Sequence, residues 1–325
     1  MVLKVPRFAR IKPDRQDDAV AEIIGAILLI AVVIVAFTGF LAWYIPTTTA
    51  SNESSFQISE RTAFSDMVSQ MHSSQTGNGS IMTETVPLGI GGAPPFEPAT
   101  DTSVSIYSSG SAYHSLLSVN LSYTVTNSSA SKTVYVQRNI AATGEIKSGS
   151  QMQYITAINY IIEDGALLES YGSAQPASFL GPLPISVTPS SLEMDIFGIS
   201  GQNETFSGTS PATLSFMASN GLEISLSNNS LSVYSGQIVA VSNITLHSMS
   251  YSINSSLYEA WNHALYVQFN NSLASYSLTS SLSSWNFIGV DMAVNVTGDT
   301  VHVYLTAPLH LQVLNITDMS LKQTM

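Results

Sequence analysis

The stretch 23–43, IIGAILLIAVVIVAFTGFLAW, decides the fold of this chain. Its 21 residues carry no charged side chain and a single hydroxyl, that of Thr38. As an α-helix the run is about 32 Å long, which matches a bilayer hydrocarbon core of about 30 Å. The alternative is a core helix of a soluble domain, but few such helices are apolar on all sides over this length. We therefore predict one membrane-spanning helix in contact with lipid.

Charge is distributed unevenly around this helix. The sequence has 325 residues, ten Lys and Arg, 22 Asp and Glu, and a formal net charge of −12. Five of the ten basic residues lie within the first fifteen positions, and eighteen of the 22 carboxylates follow Pro46. The positive-inside rule predicts a cytoplasmic N-terminus and an extracellular C-terminal domain. An acidic domain without a basic stripe repels nucleic acid, so we expect no nucleic-acid partner.

Cysteine is absent, which excludes disulfides and thiolate chemistry. A domain of about 280 residues buries enough apolar surface to be stable without them.

The N-terminal flank of the helix has the character of a leader. Basic residues run up to Arg15, acidic residues follow at Asp17 and Asp18, and the apolar run begins after Glu22. The apolar run is longer than that of a secretory signal peptide, and no A-x-A site follows it. The stretch 17–37 closely resembles the N-terminal domain of archaeal type IV pilins and pilin-like proteins, which carry a class III (prepilin-type) signal. The likeness rests on AVAEIIG followed, after one residue, by ILL.

The resemblance implies cleavage by a prepilin-type signal peptidase in the region of Asp17, Asp18 and Ala19. If the cut follows Asp17, Glu22 becomes the fifth residue of the mature protein. In pilins an acidic residue there is thought to pair with a neighbouring subunit's amino terminus, which makes Glu22 the expected assembly carboxylate. The alternative is that Glu22 is an interfacial residue, favoured at a helix N-terminus. The acidic residues before the cut depart from the family, whose sites often have a small or basic residue there.

Four parts follow from these features: a leader (1–17), a membrane and assembly helix (18–46), a stalk (47–75) and a β-rich ectodomain (76–325). We expect the long helix to end where Pro46 disfavours continuation, and 47–55 to be a polar connector. A short amphipathic helix that packs on the ectodomain is predicted next. Its apolar residues recur at i, i+3, i+4 and i+7: Phe64, Met67, Val68 and Met71.

The ectodomain is predicted to be mainly β and sandwich-like, because short β-branched and aromatic runs alternate with Ser, Asn and Gly. Asp164-Gly165 is the pair typical of a two-residue type I′ hairpin turn. Gly298-Asp299 suits a type II′ turn, whose register gives the hairpin 292–305 one apolar face. One further helix is predicted from Ser255 to about Leu265, with a serine cap.

Eleven Asn-x-Ser/Thr sequons lie outside the predicted span, and an extracellular domain makes N-glycans at some of them an expectation. They are Asn52, Asn78, Asn120, Asn127, Asn203, Asn228, Asn243, Asn254, Asn270, Asn295 and Asn315. The ectodomain is also short of charge, and acid unfolding acts mainly through paired carboxylates. One hypothesis is therefore an acidic medium; the rival is that glycans and filament burial replace charge.

No motif indicates catalysis. The six histidines show no metal-ligand spacing, although His302 and His310 lie in late strands that can approach each other. Glu163 and Asp164 are attributed to their turn. We expect no catalytic, cofactor or metal site.

The sequence thus predicts a pilin-like cell-surface structural protein, anchored by its N-terminal helix and assembled into an adhesive filament with like or related subunits through a pilus assembly platform. The first alternative is an anchored envelope or binding protein that never polymerises, since the ectodomain is bulky for a major pilin. An anchored enzyme or solute receptor is the second, disfavoured because a two-lobed receptor alternates strands with many helices.

Overall fold

The computed structural model of the chain describes residues 15–73, 77–108, 113–127, 130–172, 176–272, 278–281, 284–287 and 292–324. Within these ranges it describes all side chains except those of residues 15–21, 222, 270, 272, 278–281 and 284–287.

The described chain forms two helices and twenty strands. In order they are α1 (Arg15–Met71), β1 (Ile81–Val86), β2 (Thr102–Tyr107), β3 (His114–Thr126), β4 (Ser131–Thr143), β5 (Glu145–Gly149), β6 (Asn159–Glu163), β7 (Ala166–Ser170), β8 (Ser178–Phe179), β9 (Ile185–Val187), β10 (Ser191–Ser200), β11 (Glu204–Gly208), β12 (Ala212–Ser227), β13 (Leu231–Tyr234), β14 (Gln237–Asn254), α2 (Tyr258–Ser272), β15 (Leu278–Ser281), β16 (Ser284–Phe287), β17 (Met292–Thr297), β18 (Thr300–Leu305), β19 (Leu309–Leu311) and β20 (Val313–Gln323).

Helix α1 is continuous for 57 residues, about 85 Å, and contains Pro46. The predicted break at Pro46 and the predicted connector 47–55 are therefore wrong. A proline inside a helix costs about 3 kcal/mol because it removes one N–H and crowds the preceding turn. Here the Thr47 hydroxyl donates to the Trp43 carbonyl at 2.8 Å, and the following turns are held by the β domain, as described below. The predicted stalk is therefore the C-terminal half of the same continuous helix, α1.

The predicted amphipathic face of this second half is confirmed. Phe64, Met67, Val68 and Met71 are all buried, in one cluster with apolar residues of β1, β2, β5, β6, β12 and β20. A second cluster lies between the largest sheet, α2, and strands β9, β10 and β20. This part of helix α1 therefore belongs to the domain core, as predicted for the amphipathic helix that carries these four residues.

The described strands form three sheets. Their orders are β1-β12-β20-β10-β9, then β11-β2-β5-β6-β7-β8, and β15-β16-β17-β18-β14-β3-β4 with β13 and β19 also paired to β14. All these pairs are antiparallel except β10 with β20. The prediction of an N-terminal apolar helix followed by a mainly β domain is confirmed.

Both predicted hairpins are present. Asp164 and Gly165 have φ angles of 49° and 70°, as a type I′ turn requires, and they join β6 to β7. In the second hairpin Gly298 has φ 59°, and Met292 pairs with Leu305 in the predicted register. Local turn chemistry is sufficient to set both registers.

Helix α2 also matches its prediction in type and cap. The Ser255 hydroxyl accepts the Leu257 N–H at 2.9 Å, and Trp261 and Leu265 are fully buried. The helix runs past the predicted end at Leu265 to Ser272, because Phe269 on the same face is also buried.

Candidate functional site

The first half of α1 is the candidate anchor. Its most apolar window has no part buried by protein, and α1 is the one described helix long and apolar enough to cross a membrane. Large side chains such as Leu29 and Val35 are 66% and 72% exposed. Leaving such a surface in water is costly, at about 25 cal/mol per Å². Lipid, or a neighbouring apolar helix, is the environment that this surface fits.

The N-terminal end of the candidate anchor is only partly described. Asp17, Asp18 and Ala19 lie in helical backbone, but their side chains are outside the described residues, as is the leader before Arg15. Glu22 is exposed. At Gly25 a methyl group would meet no atom within 4 Å, so the helix surface there is open to close approach.

An aromatic cluster marks the other end of the anchor. Trp43 and Tyr44, at the end of the apolar run, are of the types that suit a membrane interface, and Phe96 from the loop after β1, which sequence reasoning missed, lies beside this cluster. The Phe96 ring lies 5.9 Å from that of Phe37 and 6.3 Å from that of Tyr44. Aromatic rings are enriched at membrane–water interfaces, so a loop of the β domain reaches the expected bilayer surface.

Polar contacts fix the same loop to the helix just beyond Pro46. The Asn52 amide donates to the carbonyls of Gly91 and Gly92 at 3.0 and 2.8 Å. The Thr49 hydroxyl donates to the Glu97 carboxylate at 2.5 Å. Glycine is required at position 92, because a Cβ there would lie 2.1 Å from a backbone oxygen. These contacts explain why the helix continues where its sequence predicts an end.

Glu53 forms a second lock between helix and domain. Its buried carboxylate accepts the backbone N–H groups of Gln153, Tyr154 and Ile155 at 2.6, 3.0 and 3.0 Å. Three donors converging on one carboxylate make strong, charge-assisted hydrogen bonds. The loop between β5 and β6 is thereby fixed to α1.

Glu60, two turns further along α1, is buried without such partners. Neither carboxyl oxygen makes a regular hydrogen bond to any described group. Burial raises the pKa of Glu60 to about 8, and the nearby Ser148 hydroxyl opposes this only weakly. The side chain is therefore protonated at neutral pH.

The turn residues Glu163 and Asp164 are buried as well, which sequence reasoning missed. The Glu163 carboxylate accepts the Ser255 hydroxyl at 2.8 Å and the Trp261 indole N–H at 2.7 Å. Burial raises the pKa of Glu163, and these hydrogen bonds partly offset it. Glu163 thus holds helix α2 on the turn between β6 and β7.

Asp164 makes the matching contacts to the sheets. It accepts the Phe197 N–H at 2.6 Å from β10, the Ser115 hydroxyl at 3.3 Å from β3, and the Tyr251 hydroxyl from β14. Burial raises the pKa of Asp164, while its donors lower it. Through these two carboxylates the turn between β6 and β7 is hydrogen-bonded to helix α2 and to strands of two other sheets.

The described residues offer no metal site. Within them no three His, Asp or Glu side chains come together in a group able to hold a metal ion. His302 and His310 do not approach each other, because they hydrogen-bond to Ser252 and Thr245, which are about 23 Å apart along β14. A cleft of about 710 Å³ lies between α2 and the β8–β9 region, lined mainly by small and apolar side chains with His263 and Gln268.

The sequons differ in accessibility. Three are exposed: Asn78, Asn203 and Asn243. Four donate their amide nitrogen within the fold: Asn52, Asn127, Asn228 and Asn254. Three more are half-buried: Asn120, Asn295 and Asn315. The side chain of Asn270 is outside the described residues.

Comparisons of the chain with protein-family models, with curated proteins and with solved structures found no match.

Proposed function

We propose that this chain is a pilin-like surface protein, held in the membrane by α1 with its β domain outside, and structural rather than catalytic. The observation that carries the proposal is the division of one rigid helix into two halves. The N-terminal half exposes its apolar side chains on all sides, and the C-terminal half is built into the domain core.

Continuity between the two halves supports assembly as well as anchoring. A filament needs a heterologous contact that does not close, and a shared apolar helix supplies one. Because Asn52 and Glu53 lock the helix to the domain, neighbouring helices packed in a fixed register would also fix the orientation of their domains. The proposed partners are lipid, a prepilin-type signal peptidase, related subunits and an assembly platform.

N-terminal sequencing of the protein isolated from its native membrane tests the processing step. A mature chain that begins at Asp18 or Ala19 supports the proposal, whereas an intact Met1 contradicts it and leaves a plain anchor. Two variants separate cleavage from helix packing. Ala19→Arg alters the cleavage site itself, whereas Gly25→Val leaves the cleavage site unchanged and crowds the helix surface.

Electron microscopy of material sheared from cells tests assembly. Fibres that contain this chain and disappear with Glu22→Gln would support the role of Glu22 as assembly carboxylate. Processed protein that stays in the membrane without fibres would favour the second candidate, an anchored component that does not polymerise. The length of chain beyond Pro46, about 280 residues, is the observation that favours this candidate.

We further propose N-glycans on the outer domain, with the exposed sequons Asn78 and Asn243 as the best placed. Mass spectrometry of native peptides checks this directly. Unmodified asparagine at every sequon would contradict it.

A further inference from the structure

The largest sheet differs in charge from the rest of the domain. Strands β3, β4, β14, β17, β18 and β19 contain no aspartate or glutamate, although eighteen carboxylates follow Pro46. Their outward positions carry Ser, Thr, Asn, Gln, Tyr, His and small or aliphatic residues. The basic residues of these strands, Lys132 and Arg138, stand on β4 at positions that alternate with the outward ones.

Four of the six histidines lie on this outward face, and all four follow β14. His310 pairs beside Thr245, His247 is in β14 itself, His302 pairs beside Ser252, and His114 pairs beside Asn254. We call them the histidine row: His310, His247, His302 and His114. At about 3.3 Å per residue the row is about 30 Å long. Three of its members are exposed, and His302 is half-buried.

Hydroxyl groups orient three of these rings. His310 Nδ1 lies 3.0 Å from Thr245 Oγ1, His247 Nε2 lies 2.8 Å from Ser122 Oγ, and His302 Nδ1 lies 2.8 Å from Ser252 Oγ. A hydroxyl accepts from a protonated ring as readily as it donates to a neutral one. The row is therefore compatible with both charge states of imidazole.

Few other charges face the row. Its neighbours on β3, β17 and β18 are Ser, Thr, Asn, Tyr and the exposed Leu116. A described carboxylate, the exposed Asp299, lies in the β17–β18 turn, at the end of the row that holds His302 and His114. Asp291 lies outside the described residues. Histidine is the side chain that ordinarily changes charge between about pH 5 and pH 8. Protonation of these imidazoles would therefore place a row of cations on strands that contain no carboxylate.

We propose that the histidine row binds a linear acidic polysaccharide in acidic medium and releases it near neutral pH. A row of cations about 30 Å long, with each member on β14 or on a strand beside it, suits an extended polyanion. The surrounding hydroxyls and amides supply hydrogen bonds for sugar hydroxyls, and the exposed Tyr135 ring, stacked 6.2 Å from His247, supplies an apolar surface with a polar edge. A lipid surface would require Lys and Arg or an apolar face instead.

The proposal rests on the proposed extracellular location only for its setting, so the test uses purified full-length chain in neutral detergent. Immobilised alginate and dextran sulfate are the acidic polymers, uncharged dextran is their control, and binding is measured at about pH 5 and about pH 7.5. The variants are single His→Gln changes along the row and the fourfold change. His263→Gln on α2 is the matched control outside the row.

Retention on both acidic polymers at pH 5, lost at pH 7.5 and lost in the fourfold variant, is the expected result. Each single variant should weaken binding about two- to fivefold, the range of exposed ion pairs, and the fourfold variant by at least about tenfold. Binding equal at both pH values, or unchanged in the fourfold variant, overturns the proposal. Preference for anionic vesicles over polysaccharide assigns the face to membrane instead. Binding seen only after deglycosylation assigns it to the chain's own glycans, because Asn120 and Asn295 stand on the same face.

Discussion

Replacing Glu60 by glutamine should make the domain more stable near neutral pH and leave it little changed in acid. The carboxyl is fully buried and lacks regular hydrogen-bond partners among the described groups. Polar groups close enough to interact with it include those of Ser148 and Tyr160. Glutamine has almost the same size and cannot ionise, so it isolates the titration from the packing.

The sign follows from the raised pKa. Below pH 4.5 the carboxyl is protonated in both the folded and the unfolded chain, and it contributes no pH dependence. Between pH 4.5 and about 8 the unfolded chain releases the proton while the folded chain keeps it, so the free energy of unfolding falls as pH rises. At about 1.4 kcal/mol per pH unit, the loss by pH 7 is about 3 kcal/mol.

Urea unfolding of the full-length chain in neutral detergent measures this, with tryptophan fluorescence as the signal because Trp261 is fully buried. The decisive quantity is the difference between variant and wild type at pH 7 minus the same difference at pH 4. We expect about 3 kcal/mol for Glu60→Gln, since subtraction cancels the cost of burying the amide. The control Glu193→Gln, at an exposed carboxylate of β10, should give a value near zero. Parallel pH profiles for wild type and Glu60→Gln would refute the reasoning.

Three further predictions concern the anchor and its junction. Glu53→Ala leaves three backbone N–H groups without their acceptor and should lower stability by about 3 kcal/mol, with faster hydrogen exchange at those amides, whereas Ser54→Ala should not. Gly92→Ala forces a Cβ against a backbone oxygen and should cost about 1–3 kcal/mol in thermal unfolding, while Gly77→Ala, in open space, should be silent. Ile30→Lys places a charge near the middle of the span at about 2.5–3.5 kcal/mol and should increase alkaline extraction from membranes, unlike Ile30→Leu.

The parts of the fold that sequence predicts are those determined within a few residues. The long, exposed apolar half of α1 follows from one uninterrupted apolar run, and the Asp164-Gly165 and Gly298-Asp299 turns set their registers through positive φ angles. The amphipathic face with Phe64 follows from helical periodicity alone. In each case the signal and the structure that it predicts lie in the same segment.

The failures concern contacts between distant segments. Pro46 predicts a helix end, but the Asn52 side chain hydrogen-bonds to a loop about forty residues away in the sequence. This contact stabilises the helix beyond Pro46. The sequence attributes Glu163 to its turn and gives no signal for Glu53 or Glu60, because nothing near these residues in sequence shows that they are buried. The hydrogen-bond partners of Glu53 and Glu163 lie about 100 residues away in the sequence. The one sequence signal for these sites is the presence of a carboxylate in a chain that has few charged residues. That signal does not identify the residues that the carboxylate contacts.

The buried carboxyls and the ion pair of the described residues predict how stability changes with pH, and this change tests the hypothesis of an acidic medium. Within the described residues the single ion pair joins His72 to Asp195 at 3.9 Å, so acid has few paired carboxylates to disrupt. Burial raises the pKa of Glu60, Glu163 and Asp164, and each of these groups therefore opposes folding more strongly as pH rises than as it falls. We therefore expect the unfolding midpoint of the full-length chain to rise between about pH 7 and pH 5; a fall over that interval would contradict the acidic setting.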